Sequence, residues 1–381
     1  MAPSGEPPRA ARTGPTTTIR DPRSDRPPPG GRLEARVVRL LGVVGGVIVG
    51  IGMLGLWYLS RGEPNVSPGQ AAATVLDAIQ GRPAADADVT AYLILELRLP
   101  RLLLGLVAGA GLGLSGVILQ DTLRNPIADP SLLGVSSAAA LGVAVLFFFP
   151  GLVPEPLTPA VALGAGLAAG TVLVLLARSI RDPIRLILIG ALMAALLTTV
   201  TSIVLLLAPN TGGFNVARFM TYQVGSLSGA SLDKLGAVLP WLGLAIPLAL
   251  LGARTLNVLQ LGDDVAAGLG MNVTRARFRL LVVAVLLVAP VVWVAGPIAF
   301  VALLSPHVAR FALGSSNAYS VLPASAAIGA FVVLVADTTG RLLFFPTEVP
   351  VGIWTIAIVG PIAAFLAGPG LRAPATAPGP A

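Results

Sequence analysis

The amino-acid sequence predicts an all-α membrane protein that crosses the bilayer with about ten helices. Of its 381 residues, 55% are hydrophobic and only 11% are charged, and the mean hydropathy is +0.86. Apolar stretches of about 20 residues, the length that spans a hydrocarbon core as a helix, recur along most of the chain. The short alternating segments typical of a membrane β-barrel are not visible in the sequence.

The positions of the apolar stretches predict ten spans. The run 280–304 is long enough to form one helix, which would leave nine spans and reverse the orientation of everything after it. Gly296 and Pro297 interrupt this run and favour two helices instead. In chain order the predicted spans are 37–59, 99–120, 131–149, 158–177, 185–208, 235–252, 280–295, 297–311, 321–343 and 351–368.

The segment before the first span is rich in proline, arginine, threonine and glycine. It holds few apolar side chains, so we expect residues 1–36 to form a disordered tail. Eight arginines between residues 9 and 39 predict that this tail is cytoplasmic. With ten spans, the transmembrane domain covers residues 37–370, and the short tail 371–381 also lies in the cytoplasm.

Counting the basic residues tests this topology. Ten spans place 18 of the 25 basic residues in the cytoplasm, as the positive-inside rule predicts. Arg98, Arg101 and Arg341 are left on the other side of the membrane. The rule does not explain these three arginines, so they require another role.

The composition also excludes several classes of protein. The chain has no cysteine and a single histidine, His307, so thiolate chemistry and metal sites built from cysteine or histidine clusters are excluded. The formal charge of +7 comes from basic residues scattered between apolar runs, which disfavours a nucleic-acid partner. We expect no bound metal and no cofactor.

Sequence motifs for catalysis are absent as well. The chain contains no HExxH, GxSxG or GxxxxGK[ST] pattern, and its only lysine is Lys234. We therefore expect a transport protein that is not an enzyme. Uphill transport would draw its energy from an ion gradient or from another chain.

One acid lies inside a predicted span. Asp337 precedes Arg341 by four residues, which puts both on one helix face with the acid N-terminal to the base. The spacing predicts a structural ion pair between them. A proton relay in a gradient-driven carrier is the alternative role for Asp337.

The connection 253–278 is predicted to be cytoplasmic and to contain a short amphipathic helix over Gly262–Gly270. Asp263 and Asp264 lie in its first turn, apolar residues follow at helical spacing, and Gly270 ends the helix. Such a helix can lie among lipid headgroups or in a groove of a partner protein. The two adjacent acids favour the protein groove.

Five stretches of the chain, taken in order, resemble the FecCD-type permeases. These proteins are the membrane subunits of ABC importers for ferric siderophores, haem and cobalamin. The resemblance covers residues 37–368. It rests on "LRLPRLLLGLVAGAGLGLSGVILQDTLRNPIADPSLLGVSSAAALG" (97–142), "YQVGSLSG" (222–229), "LNVLQLGDDVAAGLGMNV" (256–273), "VAGPIAFVALLSPHVARF" (294–311) and "VADTTGRLLFFPTEVPVG" (335–352).

The resemblance implies the architecture of a type II ABC importer. A ten-helix subunit pairs with a second permease subunit, identical or paralogous, in the plasma membrane. Two separate ATPase subunits use ATP to drive alternating access, and an extracytoplasmic binding protein delivers the solute. A ferric siderophore is the expected solute, with haem or cobalamin as alternatives. A gradient-driven carrier acting alone and a permease-like scaffold without transport remain the competing functions.

The resemblance also assigns roles to individual residues. It implies that Arg98, Arg101 and Arg341 pair with glutamates of the binding protein, although snorkelling to lipid phosphates is the alternative. It places a cytoplasmic gate at Asn125 and Ile127, in a turn that could also be an ordinary one. The segment that couples to the ATPase is implied to include Gly262, Asp263, Asp264, Ala267, Leu269 and Gly270.

Overall fold

A computed structural model describes residues 29–82, 89–131, 134–149, 151–154, 157–179, 183–207 and 213–367. Most of the predicted N-terminal tail, residues 1–28, and all of the predicted C-terminal tail lie outside the described residues. The described part of the chain is helical, with turns and loops between the helices and no β-strand. The predicted all-α fold class is therefore confirmed.

Fifteen α-helices and one π-helix form the described structure. Ten of the α-helices lie where spans were predicted, namely α1, α4, α5, α6, α7, α9, α12, α13, α14 and α15. In chain order the helices are α1 (Pro29–Ser60), α2 (Pro68–Ile79), α3 (Val89–Tyr92), the π-helix (Leu93–Arg98), α4 (Leu99–Leu123), α5 (Val135–Phe148), α6 (Thr158–Ser179), α7 (Pro183–Leu207), α8 (Gly213–Gln223), α9 (Leu232–Leu251), α10 (Ala253–Gln260), α11 (Asp263–Gly268), α12 (Val273–Ala295), α13 (Val301–Leu313), α14 (Ala318–Leu342) and α15 (Val351–Ala367).

Length and hydropathy mark six stretches of the described chain as long and apolar enough to cross a membrane. Three further apolar helices, within α5, α13 and α15, are shorter than these. The six stretches are Arg36–Ser60, Val89–Leu123, Leu188–Leu207, Leu232–Leu251, Val273–Ala295 and Ala318–Leu342.

The apolar run 280–304 forms two helices, as the Gly-Pro pair predicted. Helix α12 ends at Ala295, and Gly296 takes a positive φ of 71° before a loop that leads to α13. A Cβ atom on Gly296 would lie 2.0 Å from the carbonyl oxygen of Tyr222. Only glycine fits this position, which fixes the break between α12 and α13.

The first helix begins earlier than predicted. Residues 29–36 were expected to belong to the disordered tail, but α1 already begins at Pro29. Proline is well tolerated in the first turn of a helix, and the Leu-Glu-Ala-Arg sequence at 33–36 consists of strong helix formers. The apolar span therefore extends backwards as one continuous helix.

Helix α4 lies at the centre of the molecule and packs against α9, α12, α13 and α14. Its small residues allow this close approach: a Cβ on Gly113 would lie 2.2 Å from the carbonyl oxygen of Ser325 in α14. The Ser325 hydroxyl in turn donates a hydrogen bond to the Gly113 carbonyl at 2.8 Å. Such contact between small residues is the usual way for membrane helices to associate.

Stretches that are far apart in the chain meet at two ends of the bundle, as their long-range hydrogen bonds show. We call the end that holds the start of α4 and the end of α14 the RLPR end. The opposite end, which holds residues 253–270, is called the GDD end after Gly262, Asp263 and Asp264. Family-like stretches that are far apart in sequence meet at the RLPR end, where Ser226 N–H donates to Ala295 O and Gly352 N–H donates to Gly225 O.

Candidate functional site

The first arginine of the RLPR end is buried. Arg98 is only 5% exposed, and its guanidinium donates to the backbone carbonyls of Leu59 at 2.8 Å and Pro64 at 2.9 Å. These bonds join the end of the π-helix to the last turn of α1 and to the loop that follows it. The Arg98 side chain therefore stabilises the chain's own backbone.

The second arginine forms the main ion pair of this end. Arg101 donates from Nε and Nη2 to both carboxylate oxygens of Asp337, at 3.0 Å and 2.9 Å for the shortest contacts, and from Nη1 to Glu348 at 2.7 Å. Asp337 is 3% exposed and also accepts a hydrogen bond from the Tyr58 hydroxyl at 3.0 Å. This forked geometry makes the pair both strong and directional.

The predicted pair between Asp337 and Arg341 is wrong. Asp337 faces α4, where the planar guanidinium of Arg101 reaches both of its oxygens. Arg341 lies one turn further along α14 and turns to the end of α1, where it donates to Arg61 O at 2.8 Å and stacks 4.7 Å above the Tyr58 ring. Spacing on one helix favours a pair by only about 0.2–0.5 kcal/mol, which tertiary contacts readily outweigh.

Arg98 and Arg341 lie close together, and Tyr58 contacts both Arg341 and the acid that binds Arg101. A Cβ on Gly62, whose φ is 127°, would lie 2.6 Å from Arg341 and 2.9 Å from Arg98. Two residues of this cluster were missed by the sequence reasoning, Tyr58 and Glu348. Glu348 lies inside one of the five family-like stretches, so that stretch carried a signal for it.

Helix α11 forms at the GDD end close to where the sequence predicted it. It covers Asp263–Gly268 and ends in a Schellman motif, in which Gly270 has a φ of 82°. The amide of Gly270 donates to Ala267 O at 2.9 Å, and the amide of Met271 donates to Ala266 O at 3.0 Å. Gly270 thus ends the helix, as predicted.

One edge of α11 is apolar and uncovered. Leu261, Val265 and Leu269 follow one another at four-residue spacing, and each is half or more exposed. Ala266 points to the other side and is fully buried. Gly262, Asp264 and Ala267 flank the edge, so this face presents a small apolar strip with acids at its start.

Asp263 of the same helix has a side chain that is 44% exposed and that pairs with two arginines of neighbouring helices. Its Oδ1 accepts from Arg124 at 2.6 Å and from Arg277 at 2.9 Å. Arg124 also donates to the carbonyl oxygen of Leu259 from both Nε and Nη2. The two predicted acids of α11 therefore differ, since Asp263 binds the rest of the protein while Asp264 is exposed.

The predicted gate residues lie in a compact turn after α4. Arg124 ends the helix with a positive φ of 48°, and the Asn125 side chain accepts a hydrogen bond from the Ile127 amide at 2.9 Å. Asn125 thereby shapes the turn, while the Ile127 side chain is half exposed.

Asp129, in the same turn, was missed by the sequence reasoning. Its carboxylate is buried and accepts from the Ser131 amide at 2.9 Å and from the Ser131 hydroxyl. The second oxygen, Oδ2, has no hydrogen-bond partner among the described residues. Burial raises the pKa of this carboxyl above its usual range, and interactions with Ser131 and with the backbone of Leu303 act in the opposite direction.

A second polar network holds the last turn of α4. Arg310 of α13 donates to the Gln120 side chain at 2.7 Å and to Asp121 at 2.8 Å. Gln260 of α10 donates to the other carboxylate oxygen of Asp121 at 2.8 Å. Helices α4, α10 and α13 are thereby joined at the GDD end. In the part of the chain that the structure describes, no group of acids and histidine is arranged to hold a metal ion.

Comparison with known proteins identifies the class of molecule to which these two ends belong. The profile of the FecCD transport family matches residues 50–368. The chain is 37% identical to the Fe(3+)-citrate import system permease protein YfmE of Bacillus subtilis, over 72% of this chain and 81% of that protein. It is 37% identical to the iron(3+)-hydroxamate import system permease protein FhuG of the same organism, over 70% of this chain and 80% of the relative.

A haem permease and a solved structure give matches of similar extent. The hemin transport system permease protein HmuU of Yersinia pestis is 37% identical over 72% of this chain and 82% of its own length. A solved structure described as a metal-chelate type ABC transporter in an inward-facing conformation superposes with a TM-score of 0.73 at 26% identity. That superposition covers 85% of this chain and 98% of the solved chain.

Proposed function

The chain belongs to the FecCD transport family, and we propose on that premise that it is the permease subunit of an ABC importer for an iron chelate. The observation that carries this proposal is the family match over residues 50–368, which includes both polar ends of the bundle. A ferric siderophore is the proposed solute, because ferric citrate, ferric hydroxamate and haem in the names of the relatives are all iron compounds. Haem or cobalamin is the alternative solute.

The energy for transport is proposed to come from two ATPase subunits that bind at the GDD end of a permease dimer. The absence of a phosphate-binding GxxxxGK[ST] motif from the sequence supports an ATPase on another chain. The uncovered apolar edge of α11 supports its role as the helix that enters a groove of that ATPase. ATP is therefore a ligand of the partner, and this chain binds no cofactor of its own.

The GDD end is proposed to face the cytoplasm of the cell, with both termini on that side of the plasma membrane. Arg254, Arg275 and Arg279 lie at this end, in agreement with the positive-inside rule. The turn that contains Asn125 and Ile127 then lies at the cytoplasmic end of the solute path. We propose that it forms the gate, with Ile127 as the side chain that narrows the path.

The RLPR end is proposed to receive the extracytoplasmic binding protein. Arg98 and Arg341 support this role indirectly, because their bonds to backbone carbonyls hold the rim in shape. Arg101 offers the direct contact. Its Nη1 holds Glu348, whose side chain is 41% exposed, and a glutamate of the binding protein can take the place of Glu348 there.

Uptake of radioactive iron tests the proposed function. Cells that lack this gene are supplied with ferric siderophore, ferric citrate or haem, and the wild-type gene restores uptake of one of them. In vesicles that contain the complete complex, uptake should require ATP. Uptake that continues without ATP and collapses with the ion gradient would instead identify a secondary carrier. The engagement of Asp337 with Arg101 speaks against such a carrier, since the acid is already neutralised.

A further inference from the structure

The segment 259–263 is bound to the last turn of α4 by side chains at three points. Gln260 donates to Asp121 at 2.8 Å, Arg124 donates to the Leu259 carbonyl at 2.9 Å, and Arg124 pairs with Asp263 at 2.6 Å. These contacts come from residues more than 130 positions apart in the chain. Helices α10 and α11 are therefore held against α4 by specific polar contacts.

Arg124 is the residue at which α4 becomes the gate turn. It adopts a positive φ of 48°, a conformation that is uncommon for any residue but glycine, and the next amide, that of Asn125, donates to Gln120 O at 3.0 Å. Arg124 therefore contacts Asp263 through its side chain, and its backbone begins the turn that carries Asn125 and Ile127.

Asp263 also holds two cations together. The guanidinium groups of Arg124 and Arg277 share its Oδ1, and Arg277 Nε is buried with no hydrogen-bond partner among the described side chains and backbone. Without the carboxylate, the two arginines, 37% and 34% exposed, lose their shared counter-ion, and solvent screens part of the repulsion between them. Asp263 is therefore the centre of a three-way contact among α11, the end of α4 and the start of α12.

We propose that Asp263 is a positioning residue that links the movement of α11 to the gate turn through Arg124, without itself binding the ATPase. This inference rests on the proposed function, in which α11 contacts the ATPase and the turn 124–130 closes the path. It separates two roles within one short helix. The apolar edge attaches the ATPase, and the acid that pairs with Arg124 and Arg277 transmits the movement.

The experiment uses the complete importer, with its ATPase and binding protein, reconstituted in proteoliposomes. Asp263→Asn is compared with wild type for ATPase co-purification, ATP hydrolysis and solute transported per ATP. We expect unchanged co-purification and a fall in transport per ATP of about threefold or more, the scale on which contacting residues couple. Asp263→Glu, which keeps the charge, should restore most of the loss. Arg275→Gln is the matched control and should transport normally, because it removes a cation of α12, the helix that also holds Arg277, and the Arg275 side chain has no partner in the described structure.

A double-mutant comparison identifies Arg124 as the receiving residue. If the link is real, Arg124→Gln lowers transport per ATP, and adding Asp263→Asn to it lowers the ratio little further. If Asp263→Asn alone is too unstable to purify, the double variant Asp263→Asn/Arg277→Gln takes its place in these measurements, because it removes a cation together with the acid. The inference is overturned if Asp263→Asn transports as wild type does, if the two effects multiply, or if Asp263→Asn releases the ATPase. An absence of ATP-driven uptake in the wild-type complex would instead contradict the proposed function itself.

Discussion

At the scale of single residues, the arginines of the RLPR end show what sequence spacing can and cannot predict. The sequence identified Asp337 as an intramembrane acid that needs a cation, and the structure supplies one. The partner was misassigned because helical spacing considers only neighbours on the same helix. Arg101 lies 236 residues away in the chain and becomes a neighbour only when α4 packs against α14.

Replacing the acid of this pair should destabilise the protein. Asp337→Asn leaves the Arg101 guanidinium, which is only 12% exposed, with Glu348 as its single charged acceptor. Removing one partner of a buried pair costs about 3–5 kcal/mol, so the melting temperature in detergent should fall clearly. Asp77→Asn breaks the pair with Arg82, in which both side chains are at least half exposed, and should change stability by less than about 1 kcal/mol. Equal shifts in the two variants would contradict this prediction.

Docking of the binding protein should depend on Arg101. Glu348 pairs with Arg101 and should therefore oppose docking. Glu348→Gln removes the charge that competes for Arg101, so the affinity for the isolated binding protein should increase about two- to fivefold, as expected for a partly exposed ion pair. Arg101→Glu should weaken docking. Surface plasmon resonance at two ionic strengths measures both effects, and Asp77→Asn again serves as the control. Weaker docking of Glu348→Gln would show that Glu348 itself contacts the partner.

At the scale of elements, α11 was predicted more completely than any other part of the candidate site. Two acids, an apolar period and a final glycine define a helix locally, and the structure contains it with Gly270 in the expected capping position. The sequence could not predict that Asp263 pairs with two arginines while Asp264 is exposed. This difference depends on Arg124 and on Arg277, which belong to other helices.

The apolar edge of α11 should be necessary for attachment of the ATPase. The double variant Val265→Ser/Leu269→Ser removes apolar surface that already faces away from the described protein, so the permease should fold normally. The variant offers less apolar surface to the groove of the ATPase, so co-purification of the ATPase should fall by about tenfold or more. Leu251→Ser, at the end of α9, is the matched control, since Leu251 is 77% exposed and lies outside α11. Equal retention of the ATPase by all three proteins would contradict the role given to this edge.

At the scale of the whole molecule, the order of the helices could be predicted because local sequence features determine it. Apolar length gives the spans, and the Gly-Pro pair at 296–297 separates α12 from α13. What the sequence did not reveal is which helix packs against which. The contacts of α4 with α14 depend on Gly109 and Gly113, where a Cβ atom would collide with the backbone of α14. The sequence alone does not show which backbone each glycine faces.

The absence of cysteine from the chain allows the orientation of this bundle to be measured directly. Asp77→Cys and Thr347→Cys place single thiols at the RLPR end, and Ser316→Cys places one at the GDD end. The cysteine at position 77 follows α1 and reports on the direction of the first helix. Thr347 and Ser316 both come after the break at Gly296, so cysteines there test the ten-span topology. A membrane-impermeant maleimide added to intact cells should label the cysteines at positions 77 and 347, and it should reach the cysteine at position 316 only after permeabilisation. Labelling of position 316 from outside while position 347 is protected would mean that the last helices run in the opposite direction, and the positive-inside assignment of the GDD end would then be wrong.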